Sequence, residues 1–249
     1  MFTPIRVLSN NGPVRVELAR WDDQLVVIKK LQNNSQMFSD RLQREAAVLQ
    51  KLKHENIVPL LHAQGNMIVY SYVPGVNLSE ALQAGALPIS RSIKIAIDVL
   101  KGLSYTHKNG IIHFDVKPGN IIVRGESALI ADFGFAKDQA LTAITSENIM
   151  LGTPNYMAPE QFRGERDDPR SDIYAIGAVL YHMLAGFPPY SKQVIQFLIG
   201  DRTVELEPLP RSARQVHDIV YKSLSYLPEQ RFQDADSFIA ELSQAIGIA

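Results

Sequence analysis

The first seventy residues combine strand-like and helix-like patterns of apolar positions. Apolar and charged residues alternate over 14–18, and a continuous apolar run follows at 25–28 after a polar turn. These patterns predict two adjacent strands, and the apolar run at 67–70 predicts another. Residues 43–53 instead carry apolar side chains at helical spacing, which indicates a helix. We therefore expect a small β-rich unit that contains one helix.

Helical patterns dominate the rest of the chain. Residues 90–108 keep apolar side chains three and four positions apart, and Gly110 follows as a stop signal. The segment 173–185 is apolar at almost every position, which predicts a buried helix. Between these helices, 121–123 and 128–130 predict a small hairpin. The predicted class is α+β, with a mainly helical second part.

Composition limits the functions open to this chain. It has 249 residues, of which 46% are hydrophobic and 20% charged, enough for a sizeable core. The net charge of −1 and the lack of a polybasic run give no reason to expect nucleic acid or an anionic membrane as a partner. The absence of cysteine excludes disulfides and fits a reducing compartment. No apolar run is long enough to span a membrane, so we expect a cytoplasmic protein.

Polar residues suited to phosphoryl transfer flank the predicted hairpin. Asp115, Lys117 and Asn120 precede it, and Asp132 follows it in an Asp-Phe-Gly triplet. A carboxylate can accept the proton of an attacking hydroxyl, a lysine can neutralise a transferred phosphate, and carboxylate and amide oxygens suit Mg²⁺. An isolated Asp-Phe-Gly is common in turns. The spacing favours a site, because the hairpin would hold both loops at a fixed distance.

These loops resemble the catalytic and metal-binding loops of eukaryotic-type (Hanks-type) serine/threonine protein kinases. The run 228–232 resembles the bacterial branch of that family, and 152–160 resembles its substrate-docking segment. The resemblance implies the two-lobed kinase fold as a single domain over 1–249, with the β-rich lobe and hinge at 1–73 and the mainly helical lobe at 74–249. It also implies ATP with Mg²⁺, or alternatively Mn²⁺, and Ser/Thr hydroxyls of proteins as acceptors.

The resemblance implies roles for individual residues. Asp115 would orient and deprotonate the acceptor hydroxyl, and Lys117 would stabilise the transferred phosphate. Lys29, held by Glu45, would meet the α- and β-phosphates of ATP. The remaining expected contacts are adenine at Ser71, Val73 and Ile122, and Mg²⁺ at Asn120 and Asp132.

Several further positions match structural residues of the same family. Tyr70 would be a large gatekeeper that leaves a small pocket behind the nucleotide. Asp172 would brace the catalytic loop through its backbone, and Arg231 would form a buried pair with Glu160. His107 lies on a predicted core helix, where a histidine more often packs than acts, and we assign it no role.

The phosphate-covering flap departs from the family pattern. Ser9, Asn11 and Val14 stand where three glycines belong, and Val14 brings a branched side chain to a close backbone approach. An alternative function therefore stays open, a pseudokinase that binds nucleotide as a scaffold. A small-molecule phosphotransferase is a third candidate. The docking segment at 152–160 argues against it, and Thr153 within that segment favours serine or threonine acceptors.

The second departure from the family pattern concerns the regulation of activity. Residues 136–150 are polar and hydroxyl-rich, which predicts a mobile activation loop with candidate autophosphorylation sites at Thr142, Thr145 and Ser146. Phe114 replaces the arginine with which most family members bind a phosphate on this loop. An apolar ring cannot pair with a phosphate. We therefore expect phosphorylation there to change the rate little.

Overall fold

The computed structural model describes residues 1–10, 12–33, 35–138 and 154–247. Several positions singled out above lie outside these ranges: Asn11 of the flap, Thr142, Thr145 and Ser146 of the activation loop, and Gly152 and Thr153 of the docking segment.

A five-stranded antiparallel sheet forms the first part of the fold. Its strands are β1 (Phe2–Ser9), β2 (Val14–Trp21), β3 (Gln24–Leu31), β4 (Leu60–Gln64) and β5 (Met67–Ser71), in the spatial order β1-β2-β3-β5-β4. The strands predicted at 14–18, 25–28 and 67–70 are confirmed. Because β3 is central, Lys29 is fixed by neighbours on both sides, opposite Val16 and Ile68.

The helix of the first part, α1, spans Gln36–Leu49, so the bounds predicted from 43–53 are wrong at both ends. Its buried face includes Leu42, Glu45 and Leu49. The first turns of α1, residues 36–41, are exposed or half-buried and therefore carry little apolar signal. Leu52 is buried but follows the end of the helix, so counting it extended the predicted range.

The second part is mainly helical. Its helices are α2 (Leu78–Ala81), α3 (Ile89–Lys108), α4 (Pro159–Phe162), α5 (Arg170–Ala185), α6 (Val194–Leu198), α7 (His217–Ser223) and α8 (Ala235–Ala245). Its short strands are β6 (Val76–Asn77), β7 (Ile111–Ile112), β8 (Ile121–Arg124), β9 (Ser127–Ile130) and β10 (Lys137–Asp138). The predicted hairpin is β8–β9, and β6 joins it to form a three-stranded sheet.

The core of the second part surrounds α5, in which nearly every residue is buried. The helix packs against α3 and α7. Beside its start, Arg231 donates to both oxygens of Glu160 at 2.6 and 2.8 Å, and both residues are buried. The predicted pair is confirmed. The fold is α+β, and no described helix is long and apolar enough to cross a membrane.

Candidate active site

Lys29 on β3 lies at the centre of the candidate site, where it contacts α1 and the loop that carries Asp132. Its ammonium donates to Glu45 Oε2 of α1 at 2.7 Å and to Asp132 Oδ1 at 3.1 Å. Arg41 lies 3.8 Å from the same Asp132 oxygen and stacks 3.7 Å from the Phe135 ring centroid. The structure brings three expected residues together and adds Arg41. Its position one turn before Glu45 is the signal that could have found it.

Tyr70 at the end of β5 contacts the same buried carboxylate. Its hydroxyl donates to Glu45 Oε1 at 2.6 Å, so each carboxylate oxygen of Glu45 has one donor. Burial raises the pKa of Tyr70 well above its ordinary value, and the hydroxyl therefore keeps its proton at neutral pH. The family resemblance made Tyr70 a gatekeeper by its position before the hinge. The structure shows that it also holds Glu45.

The charges of this cluster follow from burial and from mutual attraction. Burial raises the pKa of Glu45, although Lys29 and Tyr70 favour its ionised form. Burial would also raise the pKa of Asp132, but Lys29 and Arg41 outweigh it and hold that pKa well below its usual range. For Lys29, burial lowers the pKa and the two carboxylates more than offset this. Lys29 therefore stays protonated and Asp132 ionised.

The catalytic-loop residues form a second cluster. Lys117 Nζ donates to both oxygens of Asp115, at 2.9 and 2.8 Å. Asn120 Nδ2 donates to Asp115 Oδ2 at 2.9 Å and to its carbonyl at 2.8 Å. The N–H of Ala131 donates to the Asn120 carbonyl at 2.8 Å. This bond places the loop that carries Asp132 directly beside the loop that carries Asp115.

Asp172, a buried carboxylate on α5, holds the catalytic loop through hydrogen bonds to its backbone. Asp172 accepts from the backbone N–H of His113 at 2.9 Å and of Phe114 at 2.8 Å, as expected. It also contacts His107 Nε2 at 2.8 Å, a partner that the pattern did not reveal. Gln161 Nε2 donates to the Phe114 carbonyl at 3.0 Å. Burial would raise the pKa of Asp172, but His107, and after it His113, lower it.

The residues expected to contact adenine make no side-chain hydrogen bond to either cluster within the described ranges. The N–H of Ser71 donates to the Pro59 carbonyl at 3.0 Å. The N–H of Val73 has no hydrogen-bond partner within the described ranges, so it remains available to a ligand. Ile122 lies partly buried on β8 beside Asn77.

A cavity of about 250 Å³ lies between the β1–β2 hairpin and α1. Lys29, Glu45 and Asp132 line it together with the flap residues Ser9 and Val14. The hinge positions do not line this cavity. Val14 and Lys29 therefore border the same space, where the resemblance predicts a close approach of backbone to phosphate.

A lysine–glutamate pair in a β-rich part, set beside an aspartate-bearing loop in a helical part, defines a phosphotransferase of the protein kinase type. The protein kinase domain matches residues 10–242, and the chain belongs to this family. Serine/threonine-protein kinase PknB of Mycobacterium leprae is 35% identical over 95% of this chain and 41% of its own length. The probable serine/threonine-protein kinase CPE1738 of Clostridium perfringens is 32% identical over 89% of this chain and 34% of its own length.

These similarities confirm the resemblance inferred from the motifs, including its bacterial branch and the two-lobed fold class. Membership implies ATP, a divalent metal ion and protein substrates as general features of the family. The chain spans 41% and 34% of the lengths of these two relatives.

Proposed function

We propose that this chain transfers the γ-phosphoryl group of ATP to serine or threonine hydroxyls of proteins, itself included, and that residues 1–249 act as one kinase domain. The observation that carries the proposal is the double contact of Lys29 with Glu45 and Asp132. It places a phosphate-binding cation beside a metal-binding carboxylate. Phosphoryl transfer needs this kind of positioning more than covalent help from the protein.

Asp115 is the proposed proton acceptor. A carboxylate offers about four acceptor sites, and Lys117 and Asn120 occupy three of them. The fourth is open to a substrate hydroxyl. The hydroxyl oxygen forms the new bond to phosphorus, the bond to the ADP oxygen breaks with its electron pair, and the hydroxyl proton passes to Asp115. Lys117 moves from the carboxylate toward the transferred phosphate as charge builds up there.

The proposed metal ligands are Asn120 and Asp132. The amide nitrogen of Asn120 is engaged by Asp115, and within the described ranges its oxygen has no donor. Asp132 Oδ1 is engaged by Lys29 and the Gly134 N–H, whereas no donor to Oδ2 is found there. Two hard oxygens suit Mg²⁺, which takes its other ligands from phosphates and water. Asn120 and Asp132 would hold Mg²⁺, or Mn²⁺ in its place, which would neutralise phosphate charge.

Adenine is proposed to bind at the hinge. The free N–H of Val73 and the carbonyl of Ser71 would pair with the base, while Ile122 would pack against its face. Lys29 is then on the phosphate side of the nucleotide, held in place by Glu45.

The test is the transfer of labelled γ-phosphate from Mg²⁺-ATP to the protein itself and to a generic basic protein. Wild type should label serine or threonine. Asp115→Asn and Asp132→Asn should lose at least a hundred-fold in rate, and Asp23→Asn, in the exposed β2–β3 turn, should match wild type. ATP binding is measured separately by thermal shift.

The same experiment distinguishes an active kinase from the alternative, a pseudokinase that binds nucleotide as a scaffold. ATP binding without transfer would favour the scaffold, and transfer equal in wild type and Asp132→Asn would refute the site. The altered flap favours the scaffold. All the polar positions of both clusters are occupied by side chains of the expected type, which favours the enzyme.

A further inference from the structure

Arg41 of α1 lies against Gly134 and Phe135, which follow Asp132 closely in the chain. Its guanidinium carbon stands 3.7 Å from the centroid of the Phe135 ring. A Cβ added at Gly134 would come within 2.5 Å of Arg41 Nε and 3.2 Å of Arg41 Cγ, so the arginine side chain runs directly over the glycine backbone. Contacts with a ring and with the backbone therefore hold the guanidinium beside Asp132.

The donors of Arg41 are available for a ligand. An arginine side chain has five N–H donors, and none of those of Arg41 forms a hydrogen bond within residues 1–10, 12–33, 35–138 and 154–247. Its approach to Asp132 Oδ1, 3.8 Å from Nη2, is an ion pair that is too long for a hydrogen bond. The side chain is 26% exposed, so a ligand can reach it. Such an arginine is suited to bind the oxygens of an anion.

Arg41 also lines the cavity of about 250 Å³ in front of Lys29. The charged residues described along this cavity are two cations, Lys29 and Arg41, and two carboxylates, Glu45 and Asp132. Lys29 is hydrogen-bonded to the buried Glu45, and a metal ion held by Asp132 would neutralise the second carboxylate. Arg41 is then the cation whose charge is left for the phosphates of a nucleotide.

The position of Arg41 along α1 indicates which phosphate it can reach. It precedes Glu45 by four residues, so it lies on the same face of the helix, about 6 Å along the axis. Lys29, the proposed partner of the α- and β-phosphates, and Arg41 approach the same oxygen, Asp132 Oδ1, at 3.1 and 3.8 Å. In protein kinases the metal ion at this aspartate bridges the β- and γ-phosphates. The γ-phosphate is therefore within reach of Arg41.

We propose that Arg41 binds the γ-phosphate of ATP and supplies a contact that the altered flap lacks. Glycines in a flap let backbone N–H groups approach the phosphates closely, whereas Ser9 and Val14 bring side chains to that approach. A guanidinium at the end of a long side chain reaches a phosphate from α1 instead, and it can bind two phosphate oxygens at once. The inference deepens the proposed function and rests on it, because it takes ATP as the ligand.

The experiment measures dissociation constants by isothermal titration calorimetry for the Mg²⁺ complexes of ADP and of a non-hydrolysable ATP analogue, and for adenosine. In Arg41→Met we expect the constant to rise about ten-fold or more for the analogue, less than about three-fold for ADP and not at all for adenosine, since only the analogue carries a γ-phosphate. Arg44→Met is the matched control. It removes the same charge from α1, but Arg44 lies near Arg166 and does not line the cavity, so all three constants should match wild type.

A second variant, Arg41→Lys, tests the same contact should Arg41→Met fail to fold. It keeps the charge but loses the two-pronged geometry, so binding of the ATP analogue should weaken about three-fold while adenosine binding stays constant. An equal loss for the analogue and for ADP would mean that Arg41 only positions Asp132, and it overturns the proposal. Unchanged affinity for the analogue, or no binding of it by wild type, overturns it as well. If the loss is selective for the analogue while no form of the protein transfers phosphate, the kinase activity fails and the γ-phosphate contact stands.

Discussion

The substitution Tyr70→Phe isolates one hydrogen bond in the buried cluster. It keeps the ring, and therefore most of the packing, but removes the hydroxyl that donates to Glu45 Oε1 at 2.6 Å. Lys29 remains bonded to Oε2 at 2.7 Å. Because Glu45 is fully buried, water cannot readily replace the lost donor.

The magnitude follows from the charge of the acceptor. A hydrogen bond to a charged group contributes about 1.5–3 kcal/mol, and an acceptor left buried without a donor loses a similar amount. We expect the free energy of unfolding to fall by about 2 kcal/mol, or roughly 4–8 °C in the midpoint for a chain of this size. If about 1.4 kcal/mol of this affects the placement of Lys29, kcat/KM for ATP falls about ten-fold.

The pH dependence of Tyr70→Phe tests the role of the hydroxyl more sharply than a single stability measurement, because stability and activity should change in opposite directions as the pH falls. Burial raises the pKa of Glu45, and the Tyr70 hydroxyl opposes that rise. Removing the hydroxyl raises the pKa further. Between the unfolded and folded pKa values the native state binds more protons than the unfolded state, so stability increases as the pH falls through this window. Activity should decrease there, since a protonated Glu45 cannot pair with Lys29.

The assay is therefore a pair of profiles, the unfolding free energy and kcat/KM for ATP, measured against pH for Tyr70→Phe and wild type. The acid limb of the activity profile should move to higher pH in the variant. Tyr221→Phe, which removes a hydroxyl bonded to the Leu209 N–H, is the control and should leave that limb in place. Overlapping activity limbs in Tyr70→Phe and wild type would refute the assigned role of the hydroxyl.

Three further substitutions test the frame around the site. Arg231→Met leaves Glu160 buried without its partner and should lower the unfolding free energy by about 3–5 kcal/mol in urea titrations; a much smaller loss contradicts the buried pair. Gly177→Ala brings a Cβ within 2.8 Å of the Cβ of Ser223 and should destabilise by about 1–3 kcal/mol, with recovery in combination with Ser223→Gly. His107→Phe removes the hydrogen bond to Asp172, the carboxylate that holds the catalytic loop. We expect kcat to fall about ten-fold while KM for ATP stays constant. A higher KM with an unchanged kcat would contradict this role.

Local spacing explains why much of the site could be predicted. Asp115, Lys117 and Asn120 are close in sequence, so their spacing alone predicts that they lie near one another, although Asp172 and Gln161 fix the backbone of the loop. The β8–β9 hairpin then places Asp132 beside them. The role of Asp172 required the family resemblance, because only tertiary packing brings α5 under the loop.

Contacts between distant elements explain what the pattern missed. Tyr70 has a polar end on an apolar strand, which signals a buried partner without identifying it. The start of α1 was misplaced because residues 36–41 are exposed or half-buried and show no clear apolar period. The guanidinium carbon of Arg166 lies 4.9 Å from the centroid of the Phe114 ring. No local signal pairs these two residues, since either alone is ordinary for a loop.

The exchange of arginine for Phe114 is compatible with catalysis because the loop is held through its backbone. Phe114 adopts φ +60°, a left-handed conformation that costs about 1–3 kcal/mol for a residue with a side chain. Asp172 accepts from its N–H, and Gln161 donates to its carbonyl. Neither bond uses the side chain, so both can form with arginine as with phenylalanine at position 114.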